Sequence, residues 1–202
     1  IHLEEDAGKL VHSADGSTLV DYNRGGVPLI ELVTEALQEP HIESADEAVA
    51  FLEKLRQVYI YAGVADCLIE KGQMRADVNV SLKPKGSDKY GTMVEMKNIM
   101  GFKSVHRAIE YEIARQRDIL DDGGKIEQET RKWDDDKGIS FTLRTKENSQ
   151  DYRYFPDPDL LAVEISDEIV ENVKNTMPML PHQLKEKYMN EFALSEYDSD
   201  VL

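Results

Sequence analysis

His2-Leu3-Glu4-Glu5-Asp6 sets one imidazole and three carboxylates within five consecutive residues. Like charges this close repel one another unless a cation or a basic partner neutralises them. A further carboxylate, Glu31, interrupts the otherwise apolar run Pro28-Leu29-Ile30-Glu31-Leu32-Val33, where an unpaired charge facing inward would be expensive. Together Glu5 and Glu31 suggest a site for a hard cation. Solvated carboxylates on an acidic surface give the same pattern without an ion. Gly8-Lys9 lacks the G-x-x-x-x-G-K-[ST] spacing, so this stretch is not a P-loop.

A second constellation lies on a strand. From Met74 to Leu82 the residues alternate strictly, with Ala76, Val78, Val80 and Leu82 on one face and Arg75, Asp77, Asn79 and Ser81 on the other. Steps of roughly 7 Å would project a cation, a carboxylate, an amide and a hydroxyl into one space. Glu95 and Lys97 can add to it from the next strand. An ordinary solvated sheet face has the same alternation. His12, His41, His106 and His182 fall in loops or on helix surfaces and receive no role. Cys67 reads as packed rather than reactive. Trp133 with Tyr152, Tyr154 and Phe155 could form a stacking platform, although burial in a loop-covered core is the preferred reading.

The elements that must position these groups follow from periodicity. Thr18 to Tyr22 and Leu29 to Thr34 read as short strands separated by the turn Asn23-Arg24-Gly25-Gly26. Ser44 with Glu47 is a capping-box signature, and Val49, Leu52, Leu55, Val58, Tyr59 and Ala62 recur at helical spacing until Gly63. Asp66 to Glu70 and Met74 to Leu82 read as a hairpin, followed by a strand from Tyr90 to Lys97. A second long helix starts near Ser104 and stops at Gly123-Gly124. Ile126 to Trp133 and Ile139 to Arg144 flank the polar turn Asp134 to Gly138. The prolines within Asp151 to Asp159 require an extended loop. A short strand at Leu161 to Ile165 precedes helices at Asp167 to Asn175 and Pro181 to Glu191, and Ser195 to Leu202 reads as the first turn of another. The predicted fold is α+β: a mainly antiparallel sheet covered by two long helices, then the start of an all-helical domain.

The chain has 202 residues, and its 24 Lys and Arg against 40 Asp and Glu leave a net charge of −16. Such a balance disfavours unaided binding to a phosphate backbone. The longest near-continuous apolar stretch, Val58 to Ala65, falls far short of the roughly 20 residues that span a bilayer. The single cysteine cannot form an internal disulfide, which suits a reducing cytosol. Beginning at Ile1 inside a pattern and ending in an unfinished helix, the sequence is expected to be a fragment.

Several strings taken together, IHLEEDAGK (1–9), LVDYNRGGVPLIE (19–31), GQMRADVNVS (72–81), EMKN (95–98), EQETR (127–131) and DYRYFPDPDL (151–160), resemble the B subunit of the glutamyl- and aspartyl-tRNA amidotransferases, the GatB family. The resemblance runs through almost the whole chain in consistent order. It implies a catalytic cradle domain over residues 1–165, truncated at its N-terminus, and the start of a helical domain over 166–202. It also implies the activity: ATP and Mg²⁺ are used to phosphorylate the side-chain carboxylate of Glu on tRNA-Gln, or Asp on tRNA-Asn. Ammonia channelled from a separate amidase subunit then displaces the phosphate.

On that resemblance a third, small subunit completes a cytoplasmic heterotrimer that acts on misacylated tRNA and has no membrane component. Glu5 and Glu31 match positions associated with catalysis and the Mg²⁺ ion. Glu4, Arg75, Asp77, Asn79 and Lys97 are expected to line the cradle and contact ATP or substrate. Because other family ligands lie outside these residues, the isolated fragment is expected to be inactive. The alternative is a non-catalytic assembly or tRNA-docking module of the same fold. An unrelated divalent-cation domain is disfavoured, because the Asp134 to Asp136 tip lacks EF-hand spacing.

Overall fold

The computed structural model describes residues 1–35, 41–145 and 158–202. They fall into two compact units, Ile1–His41 with Gln150–Asn172, and Ile42–Ser149 with Val173–Leu202. The second unit takes in both the main sheet and most of the C-terminal helices. The loop expected at Asp151 to Asp159 and the aromatic residues Tyr152, Tyr154 and Phe155 lie, but for Pro158 and Asp159, outside the described residues.

The first unit is built on a nested β-ribbon. β1 (His2–Glu5) pairs antiparallel with β4 (Pro28–Glu31), and between them β2 (Lys9–His12) pairs antiparallel with β3 (Thr18–Asp21). The two strands flanking the glycine turn therefore pair with earlier strands rather than with each other. The turn is tied to the ribbon instead: Gly26 N–H donates to the Asp6 carbonyl at 2.9 Å, and Asp6 N–H donates to the Val27 carbonyl at 2.9 Å. Gly26 has φ +79°, a left-handed conformation that glycine adopts without a Cβ clash.

The second unit opens with α1 (Ala45–Tyr61). Ser44 Oγ accepts the Glu47 N–H at 3.2 Å, and the Glu47 carboxylate accepts the Glu43 N–H at 2.7 Å. This closes the helix start much as the capping signature requires. A 3₁₀ turn, Ile69–Lys71, stands where a strand was expected. Local bonds claim its backbone, among them Leu68 N–H to Gln73 Oε1 at 2.9 Å and Gln73 N–H to the Leu68 carbonyl at 3.1 Å. β5 (Ala76–Val80), β6 (Val94–Ile99), β7 (Glu129–Asp134) and β8 (Ile139–Thr145) form one sheet in that order.

Its β6–β7 pair is parallel, whereas β5–β6 and β7–β8 are antiparallel. The parallel pair arises because α2 (Phe102–Asp121) runs between β6 and β7 and returns the chain to the same end. Gly123, at φ +78°, ends this helix, with Gly124 N–H bonded back to the Ile119 carbonyl at 2.9 Å.

The core of this unit joins Ala45 and Ala48 of α1, Val80, Met96, Ile99 and Trp133 of the sheet, and Val105, Ala108 and Ile109 of α2. Trp133 is buried, with Nε1–H donating to Asp135 Oδ1 at 2.9 Å. Beside the core lies a buried charged network. Arg115 reaches Glu112 through two bonds of 2.7 and 2.9 Å, and Arg131 donates to Glu129 at 2.7 Å and to Ser140 Oγ at 2.7 Å. Gln116 ties the helix to β5 by donating to the Val80 carbonyl at 3.1 Å.

α3 (Asp167–Thr176), α4 (Pro181–Glu191) and α5 (Glu196–Val201) follow. Leu161 to Ile165 forms no strand, and Leu161, Val163 and Ile165 are exposed. The fold is α+β as predicted, and every strand pair among the described residues is antiparallel except β6–β7. No described helix is long and apolar enough to cross a membrane.

Candidate functional site

The ribbon of the first unit decides which acidic residues meet. In the β1–β4 register His2 stands opposite Glu31, Glu4 opposite Leu29, and Glu5 opposite Pro28. Successive strand side chains alternate between faces. His2, Glu4, Leu29 and Glu31 therefore share the half-buried face, while Leu3, Glu5, Pro28 and Ile30 share the exposed one. Glu5 and Glu31, expected from sequence to hold one cation, lie on opposite faces of the ribbon.

The group that does assemble is His2, Glu4 and Glu31. His2 Nε2 lies 2.6 Å from Glu4 Oε1 and 3.1 Å from Glu31 Oε2, and one donor atom from each of the three residues falls within 4.8 Å of the others. Each side chain keeps 29% of its surface exposed. Donors around an octahedral Mg²⁺ at about 2.1 Å stand about 3 Å apart when adjacent and about 4.2 Å when opposed, so the spread is of the right size. Two carboxylate oxygens suit a hard divalent cation, and the imidazole nitrogen widens the set towards Mn²⁺ or Zn²⁺. Glu5 is placed against the turn, its Oε1 3.3 Å from where a side chain on Gly26 would begin.

The sheet of the second unit positions the other candidates. Asp77 and Asn79 are exposed on β5, and Arg75 is exposed just before it. Asn79 stands opposite Glu95, and the register slips between Ala76 and Val78. Asp77 there meets Lys97, whose Nζ lies 2.5 Å from Asp77 Oδ2 and 3.3 Å from Glu95 Oε1. Burial of the ammonium works against its charge, but the hydrogen bonds and charges of Asp77 and Glu95 outweigh it and raise the Lys97 pKa. Lys97 is therefore a firmly charged cation.

The sequence sets His2 in the acidic cluster, but the ligand pair expected from it was Glu5 and Glu31 alone. The signal for His2 was the two-residue step from His2 to Glu4; the register that adds Glu31 belongs to the hairpin. Thr130, whose hydroxyl donates to Glu95 at 2.7 Å, carried no signal, because its neighbour comes from a strand 35 residues away.

The described residues thus form an α+β protein with an imidazole–carboxylate trio on a β-ribbon and a lysine held by two carboxylates on a sheet. The chain belongs to the GatB/GatE catalytic domain family, whose model matches residues 1–171. It is 52% identical over 203 residues to the B subunit of the aspartyl/glutamyl-tRNA(Asn/Gln) amidotransferase of Caldicellulosiruptor bescii, covering 100% of this chain and 42% of that protein. The protein of the same name from Persephonella marina is 54% identical over 202 residues, again covering 100% of this chain and 42% of that protein. The protein of that name from Trichlorobacter lovleyi is 52% identical, with the same coverage of 100% and 42%. The chain thus spans about 42% of the length of these curated relatives.

Proposed function

We propose that this chain forms part of the catalytic subunit of a tRNA-dependent amidotransferase, a ligase that makes a carbon–nitrogen bond. The observation that carries the reading is the family match over residues 1–171, joined to 52% identity along the whole chain with relatives named for amidation of aspartyl- and glutamyl-tRNA. In the proposed reaction an oxygen of the tRNA-borne side-chain carboxylate attacks the γ-phosphorus of ATP, and ADP leaves. Ammonia then attacks the acyl carbon, inorganic phosphate leaves, and the side chain becomes an amide. The proposed partners are an amidase subunit that supplies the ammonia and a small third subunit, in a cytoplasmic heterotrimer.

Phosphoryl transfer depends on charge neutralisation and positioning more than on a covalent protein group. Glu4, Glu31 and His2 would supply donors for Mg²⁺, which would neutralise phosphate charge. Glu5 stands outside this ligand set and remains a candidate for substrate contact on the opposite face. Lys97 and Arg75 offer positive charge to a phosphate or carboxylate, while Asp77 and Asn79 flank Lys97 and Glu95.

The test uses the full-length chain assembled with its amidase and small subunits, with Glu-tRNA-Gln or Asp-tRNA-Asn as substrate. Mg²⁺-dependent amidation with ADP release is expected. Lys97→Ala or Arg75→Ala should lower amidation while glutaminase activity persists. An assembly that hydrolyses glutamine yet leaves both misacylated tRNAs unmodified in the presence of Mg²⁺ and ATP would overturn the reading.

A further inference from the structure

On the main sheet, three strands contribute to one chain of polar contacts. β6 lies between β5 and β7, with Glu95 in register with Asn79 on one side and Thr130 on the other. Glu95 is 9% exposed and Thr130 is 1% exposed. The Thr130 hydroxyl donates to Glu95 Oε2 at 2.7 Å, and the other carboxylate oxygen, Oε1, lies 3.3 Å from Lys97 Nζ. Lys97 also donates to Asp77 Oδ2 at 2.5 Å. A carboxylate buried to this degree is costly unless both of its oxygens are satisfied, and here a hydroxyl takes one and an ammonium the other.

We propose that Thr130 is a positioning residue for Lys97, acting through Glu95: its hydroxyl fixes the Glu95 carboxylate, and the carboxylate fixes the ammonium. An ammonium has three N–H donors. Asp77 and Glu95 engage two, which leaves a third for an anionic group such as a phosphoryl or acyl-phosphate oxygen. Lys97 keeps 34% of its side chain exposed, enough for such a group to reach it. Without the Thr130 hydroxyl, Glu95 loses one of the bonds that orient its carboxylate, and its grip on Lys97 loosens. The catalytic part of this inference rests on the amidotransferase reading; the positioning part rests on the contacts alone.

Two arms test it in the assembled full-length complex. The first measures the rate at which an amine-acylating reagent modifies each lysine, read by mass spectrometry. Thr130→Val should raise the modification rate of Lys97 several-fold while Lys132, in register with it on β7, is unchanged, and Thr130→Ser should restore the slow rate. The second measures ATP-dependent amidation. Loss of a hydrogen bond to a charged group corresponds to about 10- to 100-fold, so Thr130→Val should lower kcat within that range and change KM for glutamine little.

In a Lys97→Ala background Thr130→Val should have no further effect on kcat. Unchanged Lys97 labelling in Thr130→Val overturns the proposal, as does a failure of Thr130→Ser to restore it, since the methyl group rather than the hydroxyl would then matter. Additive losses in the double variant overturn the catalytic part. A wild-type complex with no amidation defeats the amidotransferase reading instead, and the labelling arm still decides the positioning.

Discussion

At the scale of single residues, a shift of one strand position changes the chemistry. His2, Glu4 and Glu31 meet because the β1–β4 register sets His2 opposite Glu31, and Glu5 is turned away by the period-two alternation of the same strand. Glu31→Gln keeps the shape and removes one anionic oxygen from the trio. Mn²⁺ titrated into the protein, followed by electron paramagnetic resonance, should therefore bind at least about tenfold more weakly to Glu31→Gln, in line with a lost charge-assisted contact. Glu5→Gln should bind Mn²⁺ as the wild type does. Equal weakening by both substitutions would return Glu5 to the ligand set. The acidic residues themselves were legible in sequence, because carboxylates so close together stand out in any pattern. Their sorting into faces was not, since it depends on a partner strand more than 20 residues on.

At the scale of elements, the join between α2 and the sheet holds the most deeply buried charged group among the described residues. Glu112 is 0% exposed and accepts two bonds from Arg115 and one from Gln116, at 2.8 Å in the last case. Its removal would take two bonds from the half-buried Arg115 and leave the fully buried Gln116 one partner short. Glu112→Ala should lower unfolding free energy by about 3–5 kcal/mol, the usual cost of breaking one side of a buried pair, as measured by urea denaturation. A loss below about 1 kcal/mol would show that the network relaxes to find other partners. The helices were plain from sequence because caps and stop signals are local: Ser44 caps α1, and Gly123 ends α2 in the left-handed conformation. The parallel β6–β7 pair was not, because strand direction is settled by the crossover helix and not by the residues of either strand. The 3₁₀ turn at Ile69–Lys71 likewise took residues expected to form one arm of a hairpin, once Gln73 bonded back to Leu68.

For the molecule as a whole, acid should act through two opposed effects. A net charge of −16 repels itself, so partial protonation relieves strain between like charges. Glu129 works the other way. Burial disfavours its ionised form, but bonds from Thr142 and Arg131, with the charges of Arg131 and Arg115, outweigh this and hold its pKa below the ordinary value of 4.5. A carboxyl whose pKa is lower folded than unfolded stabilises the fold fully above the unfolded value, and that stabilisation is lost as pH falls through the folded value. Between pH 7 and pH 3 the stability of Glu129→Gln should therefore fall less steeply than that of the wild type, when both are followed by urea denaturation. Parallel pH profiles would remove Glu129 as a source of acid sensitivity.

The sequence alone determined the acidic character, the two long helices with their ends, the alternating polar face of β5 and the family resemblance, because each resides in local composition, periodicity or contiguous strings. Tertiary structure decided which carboxylates share a face, which strand runs parallel to which, and that Thr130 reaches Lys97 through Glu95. Those facts depend on strand pairing and side-chain hydrogen bonds between segments 20 to 35 residues apart, and a one-residue slip in the pairing would turn each side chain to the other face.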